Sequence, residues 1–144
     1  KHHYFDSEDE ARKFYAFMHD VEPQQVGFIV NGRKGCSPDS LIGSDGMLEI
    51  KTKLPHLHIE CLLREDFPPE HKAQVQGSMW ITGYEEWDFC SYSPDMPEHL
   101  RTYIFTVQRD DAYIASLEAE VIVFLSEVDK AIATLNAIGL RRAA

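Results

Sequence analysis

Cys36-Ser37-Pro38-Asp39, followed by Leu48-Glu49-Ile50-Lys51, is the stretch on which the fold and the chemistry of this chain turn. An aspartate is followed ten positions later by a glutamate, and two positions beyond that by a lysine. Residues two apart on a β-strand share a face, so Glu49 and Lys51 project together. Between the two motifs, Gly43-Ser44-Asp45-Gly46 is a turn signal that folds Asp39 back beside Glu49. Two carboxylates and an ammonium converging on one spot suit Mg²⁺-dependent cleavage of a phosphodiester.

Working outward, Ser7-Glu8-Asp9-Glu10 predicts a helix start, with Ser7 as N-cap and Glu10 in the capping-box position. Ala11, Phe14, Tyr15, Phe17 and Met18 supply its apolar face, and Pro23 ends it. Strands are predicted over 26–31, 35–42 and 47–51, the first two joined by a hairpin turn at Asn31-Gly32. Pro55 and the run 57–63 predict a short helix or irregular segment, and 70–82 a second long helix stopped by Gly83. Two more strands follow over 87–92 and 102–107. Asp110 then caps a last helix that runs to about residue 136 or 137, with Gly139 just beyond it. The order α-β-β-β-α-β-β-α predicts an α/β (α+β) fold whose mixed sheet is flanked by helices.

A length of 144 residues has room for one domain with one core, predicted here over 1–144. With 44% hydrophobic and 26% charged residues the balance is that of a globular protein. No apolar run reaches the roughly 18–20 residues of a membrane span, and no secretory signal opens the chain. Lys1-His2-His3 lacks an initiator Met, so residues 1–6 carry no weight, and His2 and His3 read as surface positions. Cys36, Cys61 and Cys90 form no CxxC pair, which argues against a zinc or iron–sulfur site and for a reducing cytoplasm. The net charge of −10 is the wrong sign for coating nucleic acid, so any DNA must be held by a local basic patch and a divalent metal.

With Ala73-Gln74-Val75-Gln76-Gly77-Ser78-Met79-Trp80-Ile81-Thr82-Gly83 added to the two opening motifs, the chain resembles the phage-type alkaline exonucleases. That group, the lambda exonuclease and YqaJ-like viral recombinase family, lies within the PD-(D/E)xK nuclease superfamily. The resemblance runs from about Glu8 to the last helix and takes in Trp87-Asp88-Phe89-Cys90-Ser91-Tyr92-Ser93-Pro94. Short patterns of common residues recur by chance, but three motifs in order are far more specific.

The resemblance implies a restriction-endonuclease-like core and a role for each motif residue. Asp39 and Glu49 look like the metal carboxylates, with the Ile50 carbonyl as a further ligand and Glu8 binding metal directly or through water. Lys51 looks like the lysine that positions or polarises the attacking water, and Gln74 matches the active-site glutamine. Ser37 and His58 are the minor candidates for DNA contact. The implied cofactor is Mg²⁺, with Mn²⁺ as a substitute. The implied partners are double-stranded DNA ends, further copies of the chain in a trimeric ring, and a single-strand annealing protein, in the cytoplasm of a phage- or prophage-bearing host. No membrane partner is expected.

Three positions depart from the family pattern: Ser40 where glycine is usual, Thr52-Lys53 where Cys-Pro often stands, and His71 where tyrosine is common. The N-terminal region that carries the family's arginine for the 5′-phosphate is missing from these residues: either the chain begins late, or the protein handles DNA ends differently. Taken singly, Asp39 reads as a turn residue, Glu49 and Lys51 as a solvated strand face, and Glu8 as a helix-dipole partner. Trp80, Trp87 and the stripe 112–135 read as core, the stripe alternatively as a subunit interface. The competing functions are an endonuclease or single-strand nuclease on the same site, and a non-catalytic DNA-binding or assembly subunit.

Overall fold

Alternation along the strand Gly46–Thr52 sorts the molecule into layers. In the computed structural model, which describes residues 2–143 and the side chains of 7–139, this strand is the fourth of six. The strands are β1 (Ile29–Asn31), β2 (Lys34–Cys36), β3 (Ser40–Ile42), β4 (Gly46–Thr52), β5 (Glu86–Tyr92) and β6 (Thr102–Gln108). The helices are α1 (His2–His19), α2 (Pro55–Arg64), α3 (Lys72–Thr82) and α4 (Asp111–Ala143). The side chains of His2 and His3 lie outside the described residues.

Leu48 and Ile50 turn to one face of the sheet, where they pack with Cys90 and Tyr92 against Ala11 and Tyr15 of α1. Met47 turns to the other, where it packs with Trp87, Phe89 and Val107 against Val75 and Met79 of α3. Each face thus buries an apolar stripe against a helix, the arrangement that holds an α/β layer structure together. Glu49 and Lys51 share the parity of Met47, and so the α3 side.

The four-stranded sheet has the order β3-β4-β5-β6. β3/β4 and β5/β6 are antiparallel, whereas β4/β5 is parallel, with Glu49 opposite Phe89 and Lys51 opposite Ser91. A parallel neighbour requires a crossover, which α2 and α3 supply. The mixed sheet with flanking helices is the expected class.

The predicted strand 35–42 is two strands. β2 pairs with β1 in a separate two-stranded sheet, whereas β3 pairs with β4. Pro38 lies at the break, where its missing N–H cannot serve a ladder. Ser7 is not an N-cap: α1 begins at His2, leaving Ser7 as a buried residue inside the helix. Of the two readings of the segment after Pro55, the short helix is the one found: α2, with Pro55 in its first turn. The second long helix is a 3₁₀ turn over Pro69–His71 continued by α3, which Gly83 ends in the left-handed conformation. At 33 residues, α4 runs through Gly139, and Asp110 caps it by accepting the Tyr113 N–H at 2.9 Å.

The chain divides into two compact units, Lys1–Arg109 and Asp110–Ala144. All the candidate site residues belong to the first. Within the second, the stripe read as core or subunit interface leaves Ile122, Val123, Phe124, Ile132 and Leu135 exposed. Trp87 is in the core as expected, but Trp80 is only half-buried, with Lys34 Nζ 4.2 Å from its ring centroid. The three cysteines are free and buried, and burial pushes the Cys90 thiol up to about 12. No helix among the described residues is long and apolar enough to cross a membrane.

Candidate active site

Glu49 is 2% exposed, an expensive position for a carboxylate unless it is partnered. Its Oε1 accepts from Lys51 Nζ at 2.5 Å and from Gln74 Nε2 at 2.5 Å. Strand alternation brings the lysine alongside, and α3 lowers the glutamine onto the same face. The second oxygen, Oε2, is buried and finds no hydrogen-bond partner. Asp39 arrives from the hairpin of β3 and β4, and its Oδ2 accepts the Ile50 N–H at 2.6 Å. Burial and, after it, the neighbouring Glu49 together push the Asp39 carboxyl up to about 6, against the Ile50 N–H, which favours the ion.

Four residues singled out in the sequence therefore meet: Asp39, Glu49, Lys51 and Gln74. Glu8 stands near enough to Asp39 to raise its pKa, but its Oε1 is held by Arg12 Nη2 at 2.5 Å. Among the described residues, no group of three or more His, Cys, Asp or Glu side chains is arranged to hold a metal. Arg12 thus holds one of the two Glu8 oxygens. The donor set nonetheless fits a hard divalent cation. One carboxylate oxygen lacks a partner, a second carboxylate is pushed upward beside it, and Mg²⁺ needs few protein oxygens because it keeps several waters.

Of the two minor DNA candidates, Ser37 is exposed and its Oγ donates to the Gly27 carbonyl at 3.1 Å. His58 is corrected: it is fully buried on α2 and offers no surface to DNA. Its Nε2 lies 2.8 Å from the Leu100 carbonyl and so carries the proton, leaving Nδ1 to accept from Ser91 Oγ at 2.7 Å. Burial lowers its pKa. The unfolded chain therefore takes up a proton below about pH 6.5 that the fold resists, and stability falls as pH drops from there. His58→Ala removes both bonds and opens a cavity. It is expected to cost about 2–4 kcal/mol, read as a lowered urea midpoint, with His58→Gln costing less.

Sequence reasoning missed three contributors. Arg12 and Ser40 are buried and bonded to each other across 28 positions, a pairing without a local signal. Gln76 is 2% exposed, and its amide donates to the Gln108 carbonyl at 2.8 Å, tying α3 to the end of β6. Gln74 and Gln76 point apart, one to the site and one to the scaffold, as residues two apart on a helix do. His71 stacks on Phe89, ring centroids 5.2 Å apart.

The profile of the YqaJ-like viral recombinase domain matches residues 5–85. A 66-residue stretch is 35% identical to the uncharacterized protein ExoD of Escherichia coli K12, covering 46% of this chain and 75% of ExoD. The crystal structure of LHK-Exo, an alkaline exonuclease from Laribacter hongkongensis, superposes with a TM-score of 0.88 at 33% identity, over 95% of this chain and 72% of LHK-Exo. LHK-Exo has also been solved in complex with dAMP. A phage-related exonuclease from Haemophilus somnus 129PT shares the fold, with a TM-score of 0.70 at 14% identity over 90% of this chain and 70% of that protein.

Proposed function

The chain belongs to the YqaJ-like viral recombinase family of phage-type alkaline exonucleases, and from that membership we propose that it is a Mg²⁺-dependent exonuclease trimming double-stranded DNA ends 5′→3′. The observation that carries the reading is Glu49: one oxygen clamped by Lys51 and Gln74, the other buried and unpartnered near Asp39. Asp39, Glu49 and the Ile50 carbonyl would hold Mg²⁺ or Mn²⁺, with Glu8 acting through water, and the ion would supply Lewis acidity toward the phosphate and a more acidic water.

The residues of the chain do the rest. Gln74 fixes the Glu49 rotamer, so that the free oxygen keeps one direction. The Ile50 N–H fixes Asp39 in the same way. Lys51 carries a positive charge at the reaction centre, where it orients the attacking water and offsets the charge that builds on the phosphate oxygens. The dAMP complex of LHK-Exo supports a mononucleotide product. The exposed apolar residues of α4 support association with further copies, for which a trimeric ring on DNA is the proposed form. A single-strand annealing protein is the proposed partner, in the cytoplasm of the host.

The deciding experiment offers the protein linear 5′-phosphorylated duplex and closed circular DNA, each with Mg²⁺ and with Ca²⁺, beside Lys51→Ala. Mononucleotides released from linear DNA in Mg²⁺ alone, and lost in the variant, are the expected result. Nicked circles would make the enzyme an endonuclease. No Mg²⁺-dependent cleavage by folded protein would overturn the catalytic reading.

Cation affinity should depend on pH through Asp39. Its folded pKa of about 6 means that the proton competes with the ion below that value. Mn²⁺ binding is therefore expected to be about 10-fold weaker at pH 5 than at pH 7 by calorimetry. Equal affinities at the two values would exclude Asp39 as a ligand.

A further inference from the structure

Arg12 on α1 is 8% exposed. A guanidinium has five N–H donors and cannot shed its charge, so its burial is tolerable only if all five are met. Nε donates to Ser40 Oγ at 2.9 Å, Nη2 to Glu8 Oε1 at 2.5 Å, and Nη1 to Asp9. With the Gln25 amide turned so that its oxygen faces the guanidinium, that oxygen accepts the remaining two, 3.0 Å from Nη1 and 3.2 Å from Nη2.

The contacts continue past Ser40. Its fully buried hydroxyl accepts from Arg12 and donates to the Asp39 backbone carbonyl at 2.7 Å. Asp39 is thereby held at its carbonyl by Ser40 and at its carboxylate by the Ile50 N–H, while the same guanidinium grips Glu8.

We propose that Arg12 is a positioning residue that sets Asp39, through Ser40, and Glu8 for the divalent cation; the inference rests on the cation reading of the site. Arg12 turns its donors to Ser40, Asp9 and Glu8, and so acts through them. It ties a carboxylate of α1 to the carboxylate of Asp39, which directly precedes β3. Partners one step removed from a metal typically change its affinity by about 10–100-fold.

The test is Mn²⁺ calorimetry on the wild type, Arg12→Lys, Ser40→Ala and Asp39→Asn, each with a melting curve. Arg12→Lys keeps the charge but loses the planar fork, and should raise the Mn²⁺ Kd by about 10–100-fold. Ser40→Ala cuts the relay at one atom and should raise it by about 3–10-fold, with kcat falling in parallel and KM for DNA unmoved. If Arg12→Lys fails to fold, Ser40→Ala decides alone. Lower melting temperatures with Kd values within about twofold of the wild type would show a merely structural role and overturn the proposal. Failure of the underlying reading looks different: a wild type that binds no Mn²⁺, or an Asp39→Asn variant that binds as tightly, removes the cation site and the proposal with it.

Discussion

Glu49→Gln is expected to lower exonuclease kcat by on the order of 10²–10³-fold while leaving the cation-free protein as stable as the wild type, or more so. The substitution keeps the size and hydrogen-bonding reach of the side chain but removes a charge that is 2% exposed. A buried charge is costly to the fold, and this one also pushes against Asp39. Removing it relieves both costs. What disappears is the unpartnered anionic oxygen, and with it the rise in melting temperature that a bound ion confers. The check is a pair of melting curves, with and without Mn²⁺, beside a turnover measurement. Retention of the Mn²⁺-induced shift by the variant would remove Glu49 from the ligand set. A large fall in the cation-free melting temperature would mean that Glu49 is there for the scaffold.

Lys51→Ala should also cost on the order of 10²–10³-fold in kcat, but with the opposite sign at the ion. Lys51 Nζ lies on the oxygen of Glu49 that Gln74 also holds. Without the ammonium, the two carboxylates are less neutralised, and a divalent cation is bound as tightly as before or more tightly. The variant would thus hold metal well and turn over poorly. That split separates a residue that acts on the reacting phosphate from one that builds the metal site. Parallel losses of affinity and turnover would place Lys51 in the second role.

What the sequence conveyed about this site follows from how local each signal is. Glu49 and Lys51 were readable because strand alternation is a two-residue rule, and Asp39 because the turn at residues 43–46 closes a short hairpin. His58 reads as a candidate for DNA contact because its burial depends on which face of the segment meets the sheet. On a helix, residues 58 and 61 fall on one face, and both are buried. The strand 35–42 divided because an apolar run cannot reveal that its halves pair with different partners. The end of α4 was set too early: one interior glycine costs about 1 kcal/mol, which a long helix absorbs. Arg12 and Ser40 were beyond reach, since only the packing of α1 against the sheet brings them together.

The β3–β4 hairpin also bears on the order in which the site assembles. Its Asp39–Ile50 bond spans 11 positions, whereas Gln74 reaches Glu49 across 25 and Arg12 reaches Ser40 across 28. Contacts that close short loops form ahead of those that close long ones. The two mutually repelling carboxylates are therefore brought together early, accompanied by the ammonium on the same strand, while the glutamine and the arginine must wait for the crossover and the first helix. A dissolved divalent ion that screens the pair would then quicken folding as well as serve the finished enzyme, and refolding rates compared in Mg²⁺ and in chelator would reveal the difference.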